Sequence, residues 1–255
     1  MIAAAGEAEA PRAAPPVILV TRPEAQGAPL ARRLALKGWA PVLCPLTVLR
    51  IMPAAPDLTG LAGVIFTSAN GVRAADLPPE TRALPAWCVG PATADAAREA
   101  GFSPIIGPSD GAALAALIAE SGPPAGALLH LRGAHGTDAL AEALIAAGFD
   151  LRAAAVYEMV ALGRIAPGAR DAMVSGEVRA AAFYSPRTAH LFAQSMAREP
   201  QLAAGLHRVS GAAISTTAAR ALADLGFARV LTAKTPDGAG MDEVIARLLV
   251  AWRRS

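Results

Sequence analysis

Cysteine is scarce in this chain. Cys44 and Cys88 stand alone among 255 residues, each inside an apolar, strand-like run, so buried thiols in a reducing cytoplasm are expected. Histidine is nearly as rare, and His130, His135, His190 and His207 show no metal-ligand spacing with cysteine or carboxylate. Structural or surface roles are expected for all four, and no metal. Charged residues make up 17%, the net charge is +2, and no basic block is longer than a pair. That lacks the electrostatic footprint of a nucleic-acid binder. No run approaches the roughly 20 apolar residues of a membrane span. Nucleotide loops are missing too: there is no GxGxxG after a strand and no GxxxxGK[ST]. No conspicuous histidine accompanies a candidate serine nucleophile, and no acidic pair dominates a strand end. What these absences leave is an anion-binding, hydroxyl-rich site working without a cofactor.

Residues 1–16 read MIAAAGEAEAPRAAPP. Glu7 and Glu9, the lack of a basic start and the lack of a sustained apolar run argue against a signal peptide, and a disordered tail is expected. Beyond it, 54% hydrophobic residues suffice for two cores, and the length suits two domains of ordinary size. Much of that apolar content is alanine, which lets helices pack closely on a sheet.

The chain repeats itself. Residues 19–39, LVTRPEAQGAPLARRLALKGW, parallel 129–149, LHLRGAHGTDALAEALIAAGF. Arg22, Leu30, Leu34, Gly38 and Trp39 fall against Arg132, Leu140, Leu144, Gly148 and Phe149 at a constant spacing. Each copy is a strand, a turn opened by arginine, an amphipathic helix and a stopping glycine. A second unit also recurs. VIFTSANG (64–71) precedes AWCVGPATADAAREAGF (86–102), and AAFYSPRT (181–188) precedes VSGAAISTTAARALADLGF (209–227). Both copies close a helix with Gly-Phe and later open one with Asp-Gly, at Asp110-Gly111 and Asp237-Gly238. The order along the chain is A, B, A′, B′.

Alternating strands and helices imply parallel sheets covered on both faces. Two strands from unit A and three from unit B fill a five-stranded sheet. Ligands of such sheets bind beyond the carboxyl ends of the strands, where helices begin. Hydroxyl-bearing segments occupy that position four times, at Thr67-Ser68-Ala69-Asn70, Gly90–Thr93, Ser185–Thr188 and Ser215-Thr216-Thr217. Each serine or threonine serves a helix as N-cap or a ligand as hydrogen-bond partner. Together they resemble a cradle for carboxylates or phosphates, in a cleft between the two halves. From pattern alone the simplest domains are A with B and A′ with B′.

At these motifs the chain resembles the uroporphyrinogen-III synthase family. The residues that carry the resemblance are Thr21-Arg22-Pro23, Phe66–Val72, Val89-Gly90 with Thr93-Ala94, Arg132-Gly133, Val156-Tyr157, Phe183–Pro186, and Thr217 ahead of Arg220-Ala221-Leu222. The resemblance extends from about residue 18 to 250, and it is the order and spacing of these residues that is specific. The chain departs from the pattern at Ser215, Ala218, Thr137 and Met159, where the family often has glycine, a hydroxyl residue, arginine and threonine.

The resemblance implies an α/β fold of two doubly wound, parallel-sheet (flavodoxin-like) domains joined by two extended linker strands. Residues 17–45 with 160–255 form domain 1, residues 50–155 form domain 2, and 46–49 and 156–159 link them, so that A joins B′. It implies closure of hydroxymethylbilane to uroporphyrinogen III with inversion of the terminal pyrrole ring and loss of water, in tetrapyrrole (haem) biosynthesis. Tyr157 is the expected catalytic acid, acting on the departing hydroxyl. Thr67, Ser68, Asn70, Thr93, Ser185, Thr217, Arg22 and Arg132 are the expected substrate-binding residues, because the substrate carries eight carboxylates. For Tyr157 the alternative is interdomain packing, and for the two arginines it is helix-start and salt contacts. No cofactor and no metal are implied. A cytoplasmic monomer with mobile lobes is expected, with hydroxymethylbilane synthase as a transient partner. A non-catalytic two-lobed module for an anionic metabolite is the rival reading, and an enzyme of nucleotides or sugar phosphates a third.

Overall fold

The computed structural model describes residues 14–254 apart from 109, 137 and 138. Thr137 and most of the expected tail therefore lie outside the described residues. Pro16, the last residue of that expected tail, is tied to the first sheet, its carbonyl accepting the Ala40 N–H at 2.9 Å. The chain divides into two compact units, one up to Val48 together with Ala161 onward, the other Leu49–Val160.

The first unit opens with β1 (Val17–Val20), α1 (Glu24–Leu36) and β2 (Ala40–Leu43). The second follows with β3 (Thr47–Ile51), β4 (Leu61–Phe66), α2 (Ala69–Ala74), β5 (Ala86–Val89), α3 (Gly90–Glu99), β6 (Pro104–Gly107) and α4 (Gly111–Ala119). It continues through β7 (Ala127–Gly133), α5 (Ala139–Ala146) and β8 (Leu151–Ala161). The chain then completes the first unit with α6 (Pro167–Val174), β9 (Val178–Phe183), α7 (Pro186–Arg198), the single turn α8 (Pro200–Ala203) and β10 (Ser210–Ala213). Last come α9 (Thr216–Arg220), β11 (Arg229–Thr232) and α10 (Gly238–Trp252).

In the first unit five strands stand in the order β11-β10-β9-β1-β2, every neighbouring pair parallel. Counted along that unit's own chain this is 2-1-3-4-5, the flavodoxin-like order. Strand β9 is nearly all alanine at its centre, Ala180, Ala181 and Ala182 each fully buried, so helices approach both faces closely. One face packs Phe183 edge-on to Phe192, ring centroids 5.2 Å apart. The other gathers Trp39, Met241, Ile245 and Leu248 against β1 and β9. Asp237 starts α10, its carboxylate accepting the Gly240 N–H at 2.8 Å.

The second unit has six strands in the order β3-β8-β7-β4-β5-β6. If β3 is set aside and counting begins at β7, the order is again 2-1-3-4-5. The repeat thus has a structural meaning. Each sheet combines one A-type segment with the B-type segment of the other half of the chain, and in the second unit they appear in permuted order. Leu30 and Leu34 are buried in the first unit, as are Leu140 and Leu144 in the second. Truncation of such leucines costs about 2–5 kcal/mol each. Gly38 and Gly148 end the two matching helices at φ 97° and 84°, a left-handed conformation that glycine adopts without a Cβ penalty. The two segments expected to be extended, near 46–49 and 156–159, fall largely in β3 and β8, which lie side by side in the six-stranded sheet. Strand β3 is an addition to the five strands that pattern alone predicts.

Candidate functional site

The expected residues divide between the units. Thr67, Ser68, Asn70, Thr93, Arg132 and Tyr157 belong to the second; Arg22, Ser185 and Thr217 belong to the first.

In the second unit the chain reverses direction of winding between β4 and β7, the switch point of its sheet, where ligands of such folds sit. Thr67 and Ser68 follow β4 directly, and Arg132 lies at the end of β7. Ser68 is the N-cap of α2, its Oγ accepting the N–H groups of Asn70 (3.1 Å) and Gly71 (3.2 Å). The same oxygen lies 2.9 Å from the phenol oxygen of Tyr157 on β8. Two residues along that strand, on the same face, Met159 Sδ lies 3.9 Å from Asn70 Nδ2. The start of α2 and one face of β8 are therefore in direct contact.

What aims Tyr157 there is an irregularity in the sheet. The β7–β8 register shifts between Arg132 and Gly133, pairing Gly133 with Tyr157, and the Ala134 N–H bonds to the Tyr157 carbonyl at 2.8 Å. Such shifts re-aim side chains beside functional sites. The ring lies against the bare backbone of Gly133, where an added Cβ would come within 2.9 Å of the ring carbon Cζ. Thr67 Oγ1 pairs with Nε2 of His130 at 3.2 Å. His130 is 4% exposed within β7, which accords with the structural role expected of it. Thr93 sits in the first turn of α3 and is also buried.

In the first unit the corresponding switch point lies between β1 and β9. Arg22 follows β1 and Tyr184 follows β9, at the places that Arg132 and Thr67 hold in the second unit. The Arg22 guanidinium lies over the Tyr184 ring, 4.8 Å from its centroid, a cation–π arrangement, and donates to Gln26 Oε1 at 3.0 Å. No carboxylate pairs with it among the described residues. Burial lowers its pKa from the ordinary arginine value, the signature of a cation removed from water without an anion. Burial likewise pushes the Tyr184 phenol up to about 12, with Asp242 adding to the effect. Its hydroxyl is buried without a hydrogen-bond partner among the described residues. Ser185 caps α7, bonding Thr188 through its N–H (3.1 Å) and hydroxyl (3.0 Å). Ser215 caps α9 by accepting the Ala218 N–H at 3.2 Å, so the departure at Ala218 leaves the cap intact. Thr217 is exposed in the first turn of α9.

A model of the family described as "Uroporphyrinogen-III synthase HemD" matches residues 28–243, which takes in parts of both units and the whole switch point of the second. The chain belongs to the uroporphyrinogen-III synthase family. A relative from Chlorobaculum parvum named uroporphyrinogen-III synthase is 29% identical over 248 residues, 91% of this chain and 98% of its own. Among solved structures, the uroporphyrinogen-III synthetase of Helicobacter pylori matches with a TM-score of 0.62 at 19% identity, covering 91% of this chain and 99% of that one. A mutant uroporphyrinogen III synthase from Thermus thermophilus matches with a TM-score of 0.51 at 21% identity, covering 92% and 99%. These two likenesses concern the fold. The doubly wound α/β architecture is the family's own.

Three participants escaped the sequence reading. Tyr184 and Gly71 carried no distinguishing signal beyond their places in the repeated motifs. Gly133 was visible as the glycine after Arg132, but nothing local foretells the tyrosine ring that needs it.

Proposed function

We propose that the chain acts on hydroxymethylbilane, with the phenol of Tyr157 as the acid that assists departure of its hydroxyl. The family match over residues 28–243 carries the reaction, and the meeting of Tyr157 with Ser68 at a sheet switch point supports the assignment of the acid.

The chemistry follows from what each group can do. The phenol donates a proton to the leaving hydroxyl, which departs as water, and an electrophilic azafulvenium cation remains on the first pyrrole. The terminal pyrrole attacks through its substituted carbon and forms a spiro intermediate. Cleavage of the old bridge regenerates an azafulvenium cation, and closure through the free α-carbon inverts the ring. That carbon then loses its proton, which returns to the phenolate, so one water is released and the protein ends unchanged. Unassisted closure gives the symmetric type I isomer, so holding the terminal ring in position matters as much as lowering the first barrier.

Eight carboxylates give the substrate its handles. Arg22 and Arg132, at equivalent strand ends, would take carboxylates as charge-assisted partners. Thr67, Asn70, Thr93, Ser185 and Thr217 would add neutral hydrogen bonds. A lysine cluster would hold substrate and product too tightly alike, whereas dispersed donors release the product. The cytoplasm, a monomeric state and transient contact with hydroxymethylbilane synthase complete the proposal. Among the described residues no helix is long and apolar enough to cross a membrane.

The test is incubation with enzymatically generated hydroxymethylbilane, oxidation of the products and chromatographic separation of the isomers. Predominant type III isomer is expected. A folded protein yielding only the type I isomer would overturn the proposal.

A further inference from the structure

We infer that Ser68 is a positioning residue, which fixes the phenol of Tyr157 so that its proton points away from the protein. The inference rests on the reading of Tyr157 as the acid.

A serine hydroxyl has one proton to give and two lone pairs to receive. At Ser68 both lone pairs are engaged, by the N–H of Asn70 at 3.1 Å and of Gly71 at 3.2 Å. The Gly71 N–H is shared with the Ser68 carbonyl at 3.0 Å, a three-centre arrangement usual in a first helical turn. What Ser68 has left is its own proton, and the atom within reach is the phenol oxygen of Tyr157, 2.9 Å away. The serine therefore donates and the tyrosine accepts. The phenol proton, which would otherwise satisfy the serine, is left for another acceptor. A helix cap thus sets the direction of a bond on a strand 89 residues further along.

The direction has a chemical consequence. A hydrogen bond received by the phenol oxygen stabilises the negative charge that develops on it as its proton leaves. The donor is held by two backbone amides and needs no reorganisation when charge appears. Gly133 contributes to the arrangement as well. Its missing Cβ lets the ring settle within bonding distance of Ser68, whereas a Cβ there would stand 2.9 Å from Cζ and 3.1 Å from the hydroxyl oxygen. The ring must shift to admit that Cβ, which disturbs its 2.9 Å approach to Ser68.

The test compares kcat, KM and thermal unfolding for Ser68→Ala, Ser68→Thr, Gly133→Ala, Tyr157→Phe and the Ser68→Ala/Tyr157→Phe pair. Ser68→Ala is expected to lower kcat by about 5–50-fold, part of what a positioned acid supplies, with KM changed by less than about twofold. Ser68→Thr, which keeps the hydroxyl, recovers most of that loss. Gly133→Ala lowers kcat in the same range by displacing the ring, and gives an independent readout should loss of the cap unfold Ser68→Ala. The paired variant is no slower than Tyr157→Phe alone, because the serine acts only through the phenol. Multiplicative losses in the pair, or a rise in KM with kcat unchanged, would show that Ser68 touches substrate instead. Wild-type turnover for Tyr157→Phe would remove the acid and the positioning role together. A slow Tyr157→Phe beside a fully active Ser68→Ala would remove the positioning role alone.

Discussion

The guanidinium of Arg22 rests on the ring of Tyr184, 4.8 Å from its centroid, with Gln26 as its hydrogen-bond acceptor and no carboxylate beside it among the described residues. The pair spans the switch point of the first sheet. An arginine set up in this way is partly desolvated before any anion arrives, so a substrate carboxylate meets a strong, directional donor. Arg22→Ala should weaken substrate binding by about 1.5–3 kcal/mol, the range for hydrogen bonds to charged groups, or roughly ten- to 150-fold. Ser185→Ala and Thr217→Ala should each cost less, about 0.5–2 kcal/mol, because neutral donors share the load. Product inhibition constants measure all three. An Arg22→Ala protein with unchanged affinity would return the arginine to a purely structural role.

Asp237 gives the first unit an acid-sensitive cap. The Gly240 N–H, and after it the Thr235 hydroxyl, hold its carboxyl below the ordinary aspartate value of 3.8. A carboxyl lowered in the folded state binds fewer protons there than in the unfolded chain. Its contribution to stability is therefore fully present above about pH 3.8 and is lost as pH falls through the lower, folded value. Asp237→Asn keeps an acceptor at the cap but no longer titrates there. Denaturant unfolding between about pH 2 and 6 should show little change at the upper end and a shallower fall at the acid end. An acid limb identical to that of the wild type would contradict this.

The two thiols should be inert in the folded protein. Burial pushes Cys44 up to about 12 and Cys88 up to about 11, and both side chains are fully buried. The thiolate is the reactive species, so neither should react with a disulfide reagent at neutral pH until the chain is unfolded, when both should. Stoichiometric labelling of the native protein would show that one of the strands opens readily.

How much of this was legible in the sequence depends on distance along the chain. Leu30, Leu34, Leu140 and Leu144 reveal their helices by spacing, and Gly38 and Gly148 mark the ends, because periodicity and stop signals are local. The partition of strands into sheets is not local. Both A–B and A–B′ pairings satisfy the same alternation, and only the resemblance of the whole motif series to its family distinguished them. Sites follow the same division. Ser68, Ser185 and Ser215 stood out as hydroxyls at helix starts, and each caps its helix. Contact between Ser68 and Tyr157 could not be read, since it depends on a register shift at Arg132 and Gly133 that no residue type announces. Thr93 was singled out by its position in the motif, while its burial in the first turn of α3 depends on the packing of the folded unit.

Tyr157 is where the account is most exposed. Tyr157→Phe removes one oxygen, leaves the ring against Gly133, and leaves Arg22 and the hydroxyl residues of the first unit untouched. Turnover with hydroxymethylbilane should fall by roughly 10–1000-fold, within or somewhat below the range of positioned acids, while KM changes little. The share of type I isomer should rise as unassisted closure competes with the slowed enzyme. Measurement of kcat and isomer ratio for this one variant, beside its thermal unfolding curve, decides the matter. A folded Tyr157→Phe protein that turns over at the wild-type rate and still makes only the type III isomer would contradict the account, and leave the tyrosine to packing alone.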